Sequence, residues 1–260
     1  MHDLQETEIS KAILGAYHQK LSDRIVSDVL IVGAGPAGMT AALYLAQRNI
    51  KVTILEKRLA PGGGIWGGGM AMNEAVVQDD ALELLDEIGI SYKSGNAGLY
   101  TVDAIELAAG LAFRTVQRGV VVLNLITAED VCVHRQQVIG VVANRTMIAG
   151  VLPVDPITFS AKAVVDATGH EAAVVEALRR RGLLDNSATS KRPGEGPMDA
   201  SSGEAFVAKN VSEVFPGLWV TGMSVCATLG GPRMGPIFGG MLLSGKRVAE
   251  LIYSTLAEGN

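Results

Sequence analysis

The sequence predicts an α/β fold built on a central parallel sheet, and three observations carry that prediction. The first is an apolar run at 28–32, a helical stretch at 37–48 and a second apolar run at 51–56, together a βαβ unit beginning near residue 27. The second is Gly33-Ala34-Gly35-Pro36-Ala37-Gly38, set at the turn from the first strand into the helix. The third is composition: 48% hydrophobic, 5% aromatic and 31 glycines suit a fold of tight turns and few stacking rings. At 260 residues the chain has ample core, and it is read as a single domain spanning 1–260.

The remaining elements follow in order. Residues 6–21 place Ile9, Ile13, Leu14, Tyr17 and Leu21 at helical spacing, an N-terminal helix expected to pack on the body or on a neighbouring subunit. Stretches 81–88 and 104–117 read as helices, and 120–125 as a strand. Runs 130–134 and 138–144 predict a β-hairpin turning at Arg135-Gln136-Gln137, an insertion into the parallel sheet. Residues 163–166 form a buried strand that ends in Ala-Thr-Gly. The polar, Gly-, Pro- and Ser-rich stretch 185–203 is read as a mobile surface loop and the one candidate lid. Residues 217–221 are expected as the last strand and 239–256 as the closing helix. No internal repeat is present.

Several classes are excluded on bulk properties. A net charge of −5 gives no basic footprint, and aromatics are scarce, so nucleic acid is not an expected partner. The two cysteines, Cys132 and Cys226, lie far apart in neither CxxC nor zinc spacing, which predicts a reducing, cytoplasmic compartment. The N-terminus lacks a basic n-region with an apolar h-region, and no apolar run reaches the roughly 18 residues of a span, so no membrane is expected.

The glycine motif has a physical reading. Gly33 allows the tight turn, Gly35 lets backbone approach a pyrophosphate, and Gly38 lets helix and strand pack closely, while the helix start offers free N–H groups. Glu56 closes the second strand, where a carboxylate accepts hydrogen bonds from ribose hydroxyls. Pro61-Gly-Gly-Gly-Ile-Trp66-Gly-Gly-Gly69-Met70 sets glycines around one Trp, as backbone wrapped closely on a ligand would. The fold is therefore a Rossmann-like dinucleotide-binding one. The order of motif, hairpin insertion and Ala-Thr-Gly strand end resembles two-dinucleotide flavoproteins. Those close the flavin site with a late Gly-Asp, however, and here the strand ends in Gly222-Met223, which favours bound NAD over FAD. Asp155 and His170 flank a predicted strand as candidate metal ligands. Pro153, two residues before Asp155, offers no proton, no ligand atom and no sulfur.

GAGPAG, Glu56-Lys57, GGGIWGGG, Val154-Asp155-Pro156, Ala167 to Glu171 and the run Pro232 to Gly245 (PRMGPIFGGMLLSG) together resemble the ADP-thiazole synthases of thiamine biosynthesis. The resemblance extends from about residue 10 to the C-terminus. It implies that NAD is a substrate: nicotinamide leaves, the ADP-ribose part condenses with glycine, and added sulfur closes an adenylated thiazole. It also implies that Gly33, Gly35, Ala37 and Gly38 cradle the pyrophosphate. Glu56 and Lys57 then serve the adenosine ribose, and Gly64, Ala128, Pro153, Val154 and Met223 complete the nucleotide site. Arg233 pairs with the glycine carboxylate, for which its planar fork is suited. Asp155 and His170 bind Fe(II) from adjacent protomers of a homo-oligomer, an octamer in the family, and make up the catalytic set with Arg233.

The departures from the family pattern are informative. Eukaryotic members carry a sacrificial cysteine where this chain has Pro153, and archaeal relatives commonly carry histidine. Proline can fill neither role, so the expectation is a multiple-turnover enzyme using free sulfide. Ala37 replaces a small hydroxyl residue, and Ser224-Val-Cys-Ala-Thr-Leu229 lacks the family's acidic residue. Two other readings stay open: an FAD- or NAD-dependent oxidoreductase of related fold, and a nucleotide binder of sugar-phosphate isomerase type or without catalysis.

Overall fold

The computed structural model describes residues 4–184 and 194–258. Helix α1 (Glu6–Arg24) leads into β1 (Val26–Val32), α2 (Pro36–Ala46) and β2 (Val52–Glu56). Burial is complete along β2 and along α2 from Pro36 to Leu45, because both faces of the βαβ unit are covered. A short antiparallel sheet follows, ordered β3 (Glu74–Gln78), β5 (Leu99–Asp103) and β4 (Lys93–Ser94), with α3 (Leu82–Ile88) inserted between β3 and β4. Helix α4 (Ala104–Gln117) starts where Asp103 caps it, accepting the Ile105 and Glu106 amides. Its apolar face buries Leu107, Ala108 and Leu111.

Strand β6 (Val121–Asn124) returns to the main sheet. The hairpin of β7 (Ile126–His134) and β8 (Gln137–Arg145) is longer than the sequence indicates, and its turn has two residues rather than three. Arg135 and Gln136 both take positive φ, 50° and 62°, the left-handed pair whose twist matches the hairpin strands. Strand β9 (Ile157–Asp166) begins six residues before the apolar run that announces it, because its first half is a half-exposed partner of β8. Beyond it come α5 (Ala173–Arg180), β10 (Gly196–Met198) and α6 (Ala200–Lys209), then β11 (Ser212–Phe215), β12 (Leu218–Val220), α7 (Met223–Leu229), β13 (Pro232–Arg233) and α8 (Gly239–Glu258).

The main sheet runs β11-β12-β9-β1-β2-β6, parallel except for β11, with the hairpin joined to β9. Strand β1 lies between β2 and β9, so successive connections leave it in opposite directions. The carboxyl ends of these strands then open on a crevice. Helices α2 and α8 meet backbone to backbone at Gly245: a Cβ there would lie 2.4 Å from the Ala37 carbonyl.

Two expectations need correction. Within the stretch 185–203 read as a loop, 185–193 lie outside the described residues, but the rest holds β10 and the start of α6, which Asp199 caps by accepting the Ser202 amide. The strand expected at 217–221 is also not the last, since β13 follows it and pairs with β10. Helix α1 exists as expected but buries none of its residues; Leu21 is its part-buried contact with the core, and Tyr17 lies under the Arg145 guanidinium.

Candidate active site

A cavity of about 730 Å³ opens at the carboxyl ends of β1, β2 and β9. Its floor is the glycine motif. Gly33 has φ +104°, and a Cβ there would meet the Ala167 carbonyl at 2.4 Å; a Cβ at Gly38 would meet the Gly33 carbonyl at 2.1 Å. Only glycine permits this turn and this packing of helix on strand. Gly38 itself stays outside the cavity wall and acts through that packing, whereas Gly33, Gly35 and Ala37 line it. Space is open beside Gly35 and Gly64, where a side chain would stand in the path of a phosphate. Pro36 at the first helical position has no N–H, and Met39 is already bonded to Gly35, so the Ala37 and Gly38 amides are the free donors of the helix start.

Glu56 is buried at the end of β2 and accepts the amides of Ala34 (2.7 Å) and Arg58 (2.7 Å). Each bond uses one oxygen, and each oxygen keeps a second lone pair for a ribose hydroxyl. Lys57 reaches across the mouth of the cavity to both oxygens of Glu171, at 2.7 Å each. Ala128 and Met223 line the wall as expected, joined by Met70, Met198, Met234 and Met241. Thioether side chains of this kind give an apolar, adaptable wall.

His170 lines the same cavity from a single 3-10 turn, Gly169–Glu171, bracketed by left-handed Gly169 and Ala172. Asp166, fully buried at the end of β9, holds that turn. One oxygen accepts the Thr168 amide (3.0 Å), the Thr168 hydroxyl (2.7 Å) and the Ser224 hydroxyl (3.0 Å), and the other caps α5 through the Val174 and Val175 amides. Ser224 in turn accepts the Gly169 amide at 3.1 Å. Arg233 faces the cavity from β13, and Glu195 lies between the two: its carboxylate is 2.6 Å from His170 Nδ1 and 3.6 Å from Arg233 Nε.

Asp155 is placed differently. Within one chain neither it nor Pro153 or Val154 lines the cavity; all three are exposed on the connection between β8 and β9. That connection is ordered from beneath. Glu129 accepts the Gly150 amide (2.7 Å) and an Asn144 amide hydrogen (2.8 Å), and Asn144 reaches the Val154 carbonyl at 3.5 Å. The Val154 amide donates to the Leu152 carbonyl at 2.9 Å, closing a γ-turn centred on Pro153, whose fixed φ suits it. Among the described residues no cluster of three or more His, Cys, Asp or Glu could enclose a metal. Within one chain, then, His170 lines the cavity and Asp155 does not.

Neither cysteine lines the cavity. Burial, with the Glu195 charge beyond it, pushes the Cys226 thiol up to about 11, and burial with Asp130 raises that of Cys132. Sequence reasoning missed Glu195, Asp166 and the methionine wall. Met234 lies within the run singled out at 232–245, and Asp166 directly precedes Ala-Thr-Gly, so both carried a signal; Glu195 sat in a stretch read as loop and carried none.

Fold and cavity define a class: a Rossmann-type α/β protein whose glycine-lined cleft is flanked by a histidine and an arginine. A sequence profile described as the Thi4 family matches residues 10–238, and the chain belongs to that family. It is 51% identical over 255 residues to the thiamine thiazole synthase of Pyrococcus horikoshii, covering 97% of this chain and 99% of the relative. Identity is 46% to the thiamine thiazole synthase of Thermotoga maritima, over 97% and 99% of the two chains. The crystal structure of Thermovibrio ammonificans THI4 superposes with a TM-score of 0.92 at 45% identity, over 98% of this chain and 100% of that one. No helix among the described residues is long and apolar enough to cross a membrane.

Proposed function

We propose that this chain is a thiamine thiazole synthase that makes the adenylated thiazole precursor from NAD, glycine and sulfide, depends on Fe(II) and turns over repeatedly. The observation that carries this reading is that one cavity brings together the glycine cradle, Glu56, His170 and Arg233. The cradle and Glu56 hold the ADP-ribose part. The Arg233 fork binds the glycine carboxylate. The methionine wall keeps water from the reacting carbons. His170, with Asp155 of a neighbouring copy in a cytoplasmic homo-oligomer, would hold Fe(II), which would supply Lewis acidity when bound. Pro153 sits rigid in its γ-turn and both thiols are raised, which supports sulfur arriving from solution.

The test is anaerobic incubation of purified protein with NAD, glycine and Fe(II), with and without sulfide, followed by mass spectrometry of small molecules and protein. Adenylated thiazole formed over many turnovers only with sulfide is the expected result. Product without sulfide, with a cysteine losing its sulfur, would overturn the multiple-turnover reading. Release of FAD, or of intact NAD alone under all conditions, would move the chain to an oxidoreductase or to a plain nucleotide binder.

A further inference from the structure

Glu195 immediately precedes β10, and the parallel pairing of β10 with β13 sets it beside Arg233. The Gly196 amide bonds the Gly231 carbonyl (2.8 Å) and the Asp199 amide bonds the Arg233 carbonyl (3.0 Å), so backbone fixes the two strands on both sides of the pair. The Glu195 side chain is 14% exposed, against 60% for His170 and 53% for Arg233. The carboxylate is therefore the anchored partner in both contacts, and the ring and the guanidinium are held by it.

Each contact has a directional consequence. A carboxylate accepts only, so at 2.6 Å it keeps the proton on His170 Nδ1 and leaves the Nε2 lone pair for a ligand. Metal-binding histidines are commonly oriented by such a carboxylate. Arg233 is engaged through Nε at 3.6 Å, which leaves its two Nη groups, the open end of the fork, for a substrate carboxylate. His170 comes from the turn after β9 and Arg233 from β13, and Glu195 joins both.

We propose that Glu195 is a positioning residue that ties the metal-facing imidazole and the carboxylate-binding guanidinium together, setting their mutual separation. The proposal rests on the roles assigned to His170 and Arg233 under the proposed function. It also predicts that the two contacts separate chemically. In Glu195→Gln the amide oxygen can still accept Nδ1–H, but the amide nitrogen then confronts Arg233 with a donor. Glu195→Ala loses both contacts.

The experiment is an anaerobic Co(II) titration of wild-type, Glu195→Ala and Glu195→Gln protein, read by d–d absorption and calorimetry, with NAD affinity as the control for an intact fold and glycine KM and kcat measured alongside. Expected are wild-type NAD affinity in both variants and Co(II) binding weakened roughly 10- to 100-fold in Glu195→Ala. Glu195→Gln should stay close to wild type for Co(II), and glycine KM should rise in both variants. Equal Co(II) affinity in all three proteins would overturn the positioning role. Loss of NAD affinity in step with Co(II) would also overturn it, by showing general damage. Failure of the wild-type protein itself to bind Co(II) would overturn the metal reading beneath the proposal, a result distinct from the other two.

Discussion

Asp166 aims a side chain that it never touches. Its carboxylate is fully buried and accepts five hydrogen bonds from the turn that carries His170, from the start of α5 and from Ser224. In Asp166→Asn an amide nitrogen would face donors on one side or the other. Each buried donor left stranded costs about 1–3 kcal/mol. A loss on the order of 3 kcal/mol in urea unfolding is expected, with weakened Co(II) binding; a shift of only a few tenths would show that the network is dispensable. Glu204 gives a prediction in pH. Burial raises its carboxyl from 4.5 to about 7, with Asp80 adding to the shift against the Gly240 amide that it accepts at 2.6 Å; its other oxygen is buried without a partner among the described residues. The folded state therefore holds this proton more tightly than the unfolded chain does. Stability from this group is complete below about pH 4.5 and is lost as pH rises through 7. Glu204→Gln should flatten that part of the melting-temperature profile and raise it at pH 8, and an unchanged profile would remove Glu204 as its source. At this scale the glycine motif, Glu56, His170 and Arg233 were legible because each belongs to a local pattern. Glu195 and Glu204 act through partners distant in sequence, His170 and Arg233 for the first and Gly240 for the second, which only folding brings near.

Elements were legible where one face is buried and one is wet. Helix α4 was expected over the span it occupies, and α2, β1, β2 and α8 to within two residues at each end. Strands β3 and β5 were missed because they form a small separate sheet with little alternation to mark it, and α7 because its seven residues are nearly all buried and show no polar face. Helix α6 was hidden by the Ser and Gly in its first turn, where the Asp199 cap was the available signal. The contact between α2 and α8 gives the prediction that belongs here. A Cβ at Gly245 would lie 2.4 Å from the Ala37 carbonyl and 2.8 Å from Thr40 Cβ, so Gly245→Ala must push the helices apart. Overpacking of this kind costs roughly 1–3 kcal/mol. Because Ala37 lines the cavity, NAD affinity should fall together with the melting temperature. A variant that melts lower yet binds NAD as wild type would show that the cradle is insulated from this helix contact.

At the scale of the molecule, one chain keeps the candidate site residues apart. His170, Arg233 and the cradle share a cavity, while Asp155 rides on an exposed connection with Val151, Leu152 and Val154, all apolar and all exposed. The Glu129–Asn144 brace and the Pro153 turn hold that connection in a defined shape although no described residue of its own chain covers it. Helix α1 likewise turns Ile9, Ile13 and Leu14 to solvent. Rigid apolar projections of this kind suit a partner surface. If Asp155 completes the cavity of a second copy, Asp155→Ala and His170→Ala chains should each be inactive alone and rescue one another when they share an assembly. Random mixing of equal amounts would leave about a quarter of the sites with an intact Asp155 and an intact His170, by the statistics of an interface between copies. Co-expression under two affinity tags, followed by tandem purification and assay of thiazole formation per chain, measures that fraction. Activity from about one quarter of wild type (a large assembly) to about one half (a selected mixed dimer) fits a site shared between chains. No activity in purified mixed assemblies would place both ligands on one chain, and would require the connection between β8 and β9 to fold back onto its own cavity.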